Sequence, residues 1–226
     1  GYNVTYKLLN ASDYLVPQDR KRVIIIGYRE DIGGIFEFPN VIKNKLTLKN
    51  AIHDLKNIEA TPIESRINEI HSTIPNHEYK EGSFSSIYMS RNRVRSWEEA
   101  SYTIQAGARH APIHPQANKM ILVGKDKWIF DPKSPKAYRR LSVRECARIQ
   151  TFPDNFIFKY KYIGDGYKMV GNAVPVMLAK ILADTIFMDI KQIMKYPTRA
   201  VAHPHATCFN GGNLRNAVAP LIKGRV

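Results

Sequence analysis

The residues best suited to chemistry in this 226-residue sequence are arginines. Arg91, Arg93 and Arg95 occupy every second position of Ser90-Arg91-Asn92-Arg93-Val94-Arg95. On an extended strand that spacing points all three one way; from a loop they fan out. A guanidinium is the best reader of guanine, bidentate to O6 and N7 in the major groove. A second basic loop, Ala106-Gly107-Ala108-Arg109-His110, can bring Arg109 close to them. A third basic cluster, Gln18-Asp19-Arg20-Lys21-Arg22, follows Pro17 and reads by composition as a solvated loop. Gly171-Asn172-Ala173 forms a Gly-Asn turn that could hold a small ligand. Cys146 is the one tempting nucleophile, but it falls in a predicted helix, where a buried thiol is inert. His71, His77, His110 and His114 lack metal-ligand pairing and read as surface or DNA-side residues; no metal site is expected.

These residues need elements to position them. Ser142 and Glu145 form an S-x-x-E capping box, and Val143, Cys146, Ala147, Ile149 and Gln150 keep helical spacing until Phe152-Pro153-Asp154 ends the helix. Gly164-Asp165-Gly166 reads as a turn. Asn172 reads as the cap of a last helix, with Pro175 near its first turn and Val176, Leu178, Ala179, Leu182, Ala183, Ile186, Phe187 and Ile190 on its apolar face. Toward the start, Gly1–Leu9 alternates as a strand does, and the run Val23–Tyr28 predicts a strand buried on both faces. Thr47–Leu55 predicts a short helix, and Asn57–Asn76 a weakly patterned connection. Ser85–Met89 and Ala100–Gln105 read as strands. Met120–Val123 and Lys127–Phe130 read as a hairpin around Gly124-Lys125-Asp126.

Composition narrows the partners. The formal net charge is +14, and 44% of residues are hydrophobic, so a real core coexists with a strong basic excess. Between Lys80 and Gln150 there are 14 Lys and Arg against 6 Asp and Glu. A basic face of this kind gains affinity for nucleic acid by releasing phosphate counterions. Two cysteines, Cys146 and Cys208, with no C-x-x-C pair, point to a reducing compartment and away from zinc. The apolar run at Val174–Ile190 carries Lys180, Asp184 and Asp189, which makes it amphipathic and argues against a membrane span.

Wording adds what spacing cannot. RRLSVRECARIQTFPD (139–154) resembles the ninth signature motif of the DNA cytosine-5 methyltransferases, YKMVGNAVP (167–175) their tenth, and VPQDRKRVIIIGYR (16–29) their eighth. The resemblance covers about residues 1–190. It implies that Gln18, Arg20 and Arg22 face the catalytic pocket and DNA backbone, with Arg22 holding O2 of a flipped cytosine. It implies that Gly171, Asn172 and Ala173 lie against S-adenosyl-L-methionine. The stretch 75–116 sits where this family keeps its target recognition domain, and its wording is closest to members that read GGCC. By that resemblance Ile87, Ser90, Arg91, Arg93 and Arg109 contact bases or hold the opened site, and Arg95 joins them on DNA. About half of the arginines are expected to touch only phosphates.

The implied fold is α/β, with an α+β appearance in this stretch: the C-terminal part of a Rossmann-like methyltransferase domain carrying an inserted β-rich recognition domain. The expected divisions are a catalytic-domain segment at 1–56, the recognition domain at 57–137, a return to the catalytic domain at 138–195, and a mobile tail at 196–226. The family attacks cytosine C6 with a cysteine from a Pro-Cys loop and uses a Glu-Asn-Val glutamate; this sequence has neither, nor a Phe-x-Gly-x-Gly loop. It therefore reads as the C-terminal portion of a restriction–modification methyltransferase, inactive alone. Its expected partners are duplex DNA and the missing N-terminal portion, its location the prokaryotic cytoplasm. The alternatives are the DNA-reading subunit of a split enzyme and a non-catalytic DNA-binding remnant.

Overall fold

The computed structural model describes residues 1–67 and 73–195. The expectations for His71, Cys208 and the tail fall outside the described residues. The described residues divide into two compact units: 1–8 with 23–39 and 183–195, and 9–22 with 40–67 and 73–182.

Strands β1 (Tyr2–Asn10) and β2 (Lys21–Arg29) pair in a two-stranded sheet. In the first unit the polar face of β1 is covered. Asn3 Nδ2 donates to the Gly34 carbonyl at 3.2 Å and Thr5 Oγ1 to the Phe36 carbonyl at 3.1 Å. Its apolar face is open, with Tyr2, Val4, Tyr6 and Leu8 all exposed. The expectation that Val23–Tyr28 is buried on both faces is therefore corrected. Ile25 is exposed and of that run only Tyr28 is buried, because the described chain covers one side of the sheet. Glycine is required at Gly34, where φ is +78° and a Cβ would meet the Ile193 side chain at 2.7 Å.

The second unit is built on short helices. Helix α1 (Leu48–Ile52) starts in a Thr47–Asn50 capping box and runs into a 3₁₀ turn at His53–Leu55, burying Leu48, Ile52 and Leu55 as their spacing predicts. Helix α2 (Val143–Ile149) carries the Ser142–Glu145 capping box, with Glu145 N–H donating to Ser142 Oγ at 3.1 Å and Ser142 N–H to Glu145 Oε2 at 2.8 Å. Its residues Val143, Cys146, Ala147 and Ile149 join Leu48, Ile52, Tyr167 and Val170 in one buried cluster.

Helix α3 (Ile163–Asn172) corrects two expectations. Gly164-Asp165-Gly166 is the first turn of this helix rather than a loop turn. Asp165 suits the positive helix start, and the Tyr160 ring lies 2.6 Å from where a Gly166 Cβ would stand. Asn172 ends α3 and does not cap the next helix. Ala173 and Val174 follow, the first extended at φ −69°, ψ 153°. Helix α4 (Val176–Lys195) begins directly after Pro175, whose carbonyl accepts the Ala179 N–H at 3.0 Å. Of its expected apolar face, Leu178 and Leu182 are buried.

Between α1 and α2 lie β3 (Thr61–Ile63) and β4 (Glu78–Lys80), a parallel pair, and β5 (Ile121–Gly124) and β6 (Lys127–Ile129), the expected antiparallel hairpin. The strands expected at Ser85–Met89 and Ala100–Gln105 are absent. Ser85 instead starts a turn, its carbonyl accepting the Met89 N–H at 3.0 Å and its hydroxyl the Tyr88 N–H at 3.2 Å. Ser101 makes a single bridge to Gln18, with Ser101 N–H on the Pro17 carbonyl and Asp19 N–H on the Ser101 carbonyl, both at 2.9 Å.

Candidate nucleic-acid interface

The third basic cluster is mostly interior. Gln18 is fully buried and its Oε1 accepts the Ile104 N–H at 3.1 Å. Arg20 is 6% exposed and donates to the Ile104 carbonyl at 2.9 Å and the Gly171 carbonyl at 3.0 Å. Together they tie the loop at 104–106 to the end of α3. Gly171 makes that approach possible, since a Cβ there would sit 2.4 Å from the Gln105 carbonyl carbon. Of the three cluster residues Arg22 alone is exposed, its Nη1 donating to the Lys21 carbonyl at 2.7 Å. At the Gly-Asn turn the pattern is similar: Gly171 is buried, Ala173 half-buried, and Asn172 exposed. Asn172 is thus the one side chain of the three that is exposed.

The Ile87–Arg95 stretch is a turn on a rigid base. Tyr88 is buried and donates its hydroxyl to the Ala111 carbonyl at 2.6 Å. Arg93 then clamps the turn. Its Nε donates to the Tyr88 carbonyl at 2.6 Å, its Nη2 to the Ile87 carbonyl at 3.0 Å, and its guanidinium stands 4.5 Å from the Tyr88 ring centre. Ser90 Oγ donates to the Ile87 carbonyl at 2.8 Å. What this base presents outward is Ile87, 74% exposed, and Arg91, also exposed. Burial and then the like charge of Arg91 lower the pKa of Arg93.

Arg95 is committed elsewhere. It bonds Glu99 Oε1 at 2.9 Å, lies 3.4 Å from Asp19 Oδ2, and covers the Tyr102 ring at 4.3 Å. Arg109 is exposed on a 3₁₀ turn at Ala108–His110. The arginines at every second position therefore have three different fates, set by what each finds nearby.

Sequence reasoning missed a buried polar network under α2. Arg139 donates to both Glu145 oxygens at 2.8 Å. Burial pushes the Glu145 pKa up, but the hydrogen bonds and charge of Arg139 outweigh it and hold it down to about 2. His77 and His114 are buried here, which corrects their reading as surface or DNA-side residues. His114 Nδ1 accepts the Gln116 N–H at 3.3 Å, so its proton sits on Nε2, 3.4 Å from Glu145 Oε1. Burial lowers its pKa to about 4, so at pH 7 the ring is neutral and this contact is not an ion pair. His77 Nε2 faces the Ile58 carbonyl at 3.3 Å and must donate there, leaving Nδ1 to accept from the Ser142 hydroxyl at 3.0 Å. The visible signal for this network was the arginine pair just before the capping box. Cys146 is fully buried and its thiol pKa is pushed well up, first by burial and then by Glu145. Among the described residues no cluster of metal-ligating side chains occurs, and no helix is long and apolar enough to cross a membrane.

The fold is that of DNA methyltransferases. A DNA modification methyltransferase encoded within an Escherichia coli prophage matches with a TM-score of 0.53 at 17% identity, over 83% of this chain and 60% of that one. The Entamoeba histolytica methyltransferase EhMeth matches at 0.51 and 14%, over 84% and 54%. The chain belongs to the C-5 cytosine-specific DNA methylase family, whose profile matches residues 1–188. It is 64% identical over 194 residues to the Type II methyltransferase M.MthTI of Methanothermobacter thermautotrophicus, covering 86% of this chain and 59% of that protein. To M.FnuDI of Fusobacterium nucleatum it is 52% identical, and to M.NgoPII of Neisseria gonorrhoeae 47%, each match covering 82% of this chain and 55% of the relative. The chain thus spans little more than half the length of these relatives.

Proposed function

We propose that this chain is the DNA-reading, C-terminal part of a Type II DNA cytosine-5 methyltransferase that modifies a cytosine within GGCC and works in the prokaryotic cytoplasm. One observation carries the reading: the turn at 87–93, where Tyr88 and Arg93 stiffen a platform that presents Ile87 and Arg91. On this reading Arg91, Arg93 and Arg109 read guanines, while Ile87 and Ser90 hold the opened site. Arg95 meets the DNA backbone only by exchanging Glu99 or Asp19 for a phosphate, since both now hold its donors. The target cytosine leaves the stack to reach the reacting groups. Arg22, exposed and free of any carboxylate among the described residues, holds its O2 and stabilises charge that develops when C6 is attacked. Gln18 and Arg20 act by positioning, because they hold the end of α3 and so Asn172. S-adenosyl-L-methionine supplies the methyl group when bound, and Asn172 with its neighbours Gly171 and Ala173 would hold it. Cys146 takes no part; the nucleophile belongs to sequence outside this chain.

The test is methyl transfer from labelled S-adenosyl-L-methionine to a GGCC duplex. We expect transfer only when the chain is mixed with a polypeptide carrying the Pro-Cys and Glu-Asn-Val motifs. Transfer by the chain alone would overturn the reading.

A further inference from the structure

We propose that the loop at 82–85, with Lys80 beside it and Arg140 beneath it, is a phosphate grip that takes one phosphodiester of the DNA backbone next to the reading arginines. This rests on the DNA-reading role proposed above and adds to it a site of different chemistry.

The loop borders a cavity of about 340 Å³ whose lining includes Lys80, Ser83, Ser85, Arg109 and Arg140. Three cations meet there against a single lining carboxylate, Glu81. Neither Lys80 nor Arg140 has a carboxylate partner among the described residues. Lys80 Nζ rests on the Glu64 carbonyl. Arg140 is 3% exposed and donates only to carbonyls: Lys80 and Gly82 at 3.1 Å, Ser83 at 2.9 Å. Its guanidinium also stands 4.0 Å from the Phe84 ring centre. Their positive charge is therefore left to act on whatever enters the cavity.

Arg140 also sets the direction of the loop's dipoles. A trans peptide is planar, so each carbonyl points opposite to the N–H that follows it. With the Gly82 and Ser83 carbonyls turned onto Arg140, the N–H groups of Ser83 and Phe84 point away from it. Neither donates to any described acceptor. Gly82, at φ +105°, supplies the left-handed step that gives a loop two outward amides in succession, an arrangement suited to anions. Ser83 and Ser85 line the same space. Finally, Arg109 lines this cavity too, and a base read at Arg109 carries its phosphate with it on the same strand.

The experiment is fluorescence anisotropy of the full 226-residue chain with a GGCC duplex and a scrambled duplex across a salt series. Lys80→Gln is expected to weaken both duplexes by the same factor, about 3- to 10-fold near 0.1 M salt, and to make the log K against log salt slope less negative by about 0.9. Arg140→Lys keeps the charge but replaces the two nitrogens of the planar fork by one, so it loses the spread of contacts to the Lys80, Gly82 and Ser83 carbonyls; it should weaken both duplexes with the slope unchanged. Ser83 and Phe84 amide resonances should move when either duplex is added. Unchanged affinity and slope in Lys80→Gln, or a loss confined to GGCC, overturns the grip while leaving the reading role standing. Failure of the unaltered chain to bind either duplex overturns both.

Discussion

Replacing Gly171 by alanine tests the junction that the whole site hangs on. The new Cβ would lie 2.4 Å from the Gln105 carbonyl carbon and oxygen and 2.5 Å from the Ala106 nitrogen. That is about 1 Å short of ordinary contact, and the obstacle is backbone, which cannot swing aside as a side-chain tip can. The end of α3 must therefore part from the loop at 104–106. Arg20 spans the same gap through the Ile104 and Gly171 carbonyls, and its donors cannot reach both once the gap opens. Overpacking costs about 1–3 kcal/mol, and one lost charge-assisted hydrogen bond about 1.5–3 kcal/mol. We expect a loss of roughly 3–5 kcal/mol, a large share of a domain's stability. Urea unfolding followed by circular dichroism measures it, with Gly164→Ala as the control. Gly164 lies in the same helix with nothing within 4 Å of its Cβ position, so alanine there should be neutral or stabilise by up to about 1 kcal/mol. Equal midpoints for the two variants would refute the argument.

Other expectations follow from the polar network and the reading turn. His114 binds its proton near pH 6.5 when unfolded but only near 4 when folded, so the unfolded chain holds more protons between them. Stability should then fall as pH drops from about 6.5 toward 4, with Glu145 adding a further loss between about 4.5 and 2; His114→Asn should flatten the first step of a pH-dependent urea series. Glu145→Gln leaves Arg139 without its carboxylate and should cost about 3–5 kcal/mol in the same assay. Cys146 should resist alkylation until denaturant is added, as mapped by mass spectrometry; rapid native labelling would contradict its burial. Arg93→Ala, measured in the complemented enzyme, should cost roughly 1–3 kcal/mol on GGCC and far less on other sequences; an equal loss on all DNA would mean phosphate contact.

Local rules reached some elements and not others. The Ser142–Glu145 box, the Thr47 helix start and the 121–129 hairpin are decided by neighbours in sequence, and the structure has them where their residues place them. Gly164-Asp165-Gly166 misled because two glycines read as a turn, while the Tyr160 ring needs the missing Cβ. The alternation at Ala100–Gln105 misled because its backbone partners are Pro17 and Asp19, some 80 residues away. Strands β3 and β4, three residues each, are too short to show a period. In the site, the pattern of alternate arginines was legible, but their division of roles was not. Glu99, Tyr88 and Asp19 decide it, and no spacing rule joins them. The burial of Gln18 and Arg20 was hidden for the same reason.

If the turn reads DNA as proposed, the clamp on Arg93 sets a time order for meeting it. Arg91, exposed, samples rotamers in picoseconds to nanoseconds and sweeps a wide volume. Arg93, bound to two carbonyls and a ring, sweeps almost none. First capture of a passing duplex therefore falls to Arg91, which must surrender its rotamer freedom to stay, up to about 2 kcal/mol. Discrimination on that reading falls to Arg93, because a donor that cannot swing toward a substitute acceptor leaves the wrong base unsatisfied. On the proposed reading, searching and sorting are divided between two near-neighbour arginines by which of them Tyr88 holds.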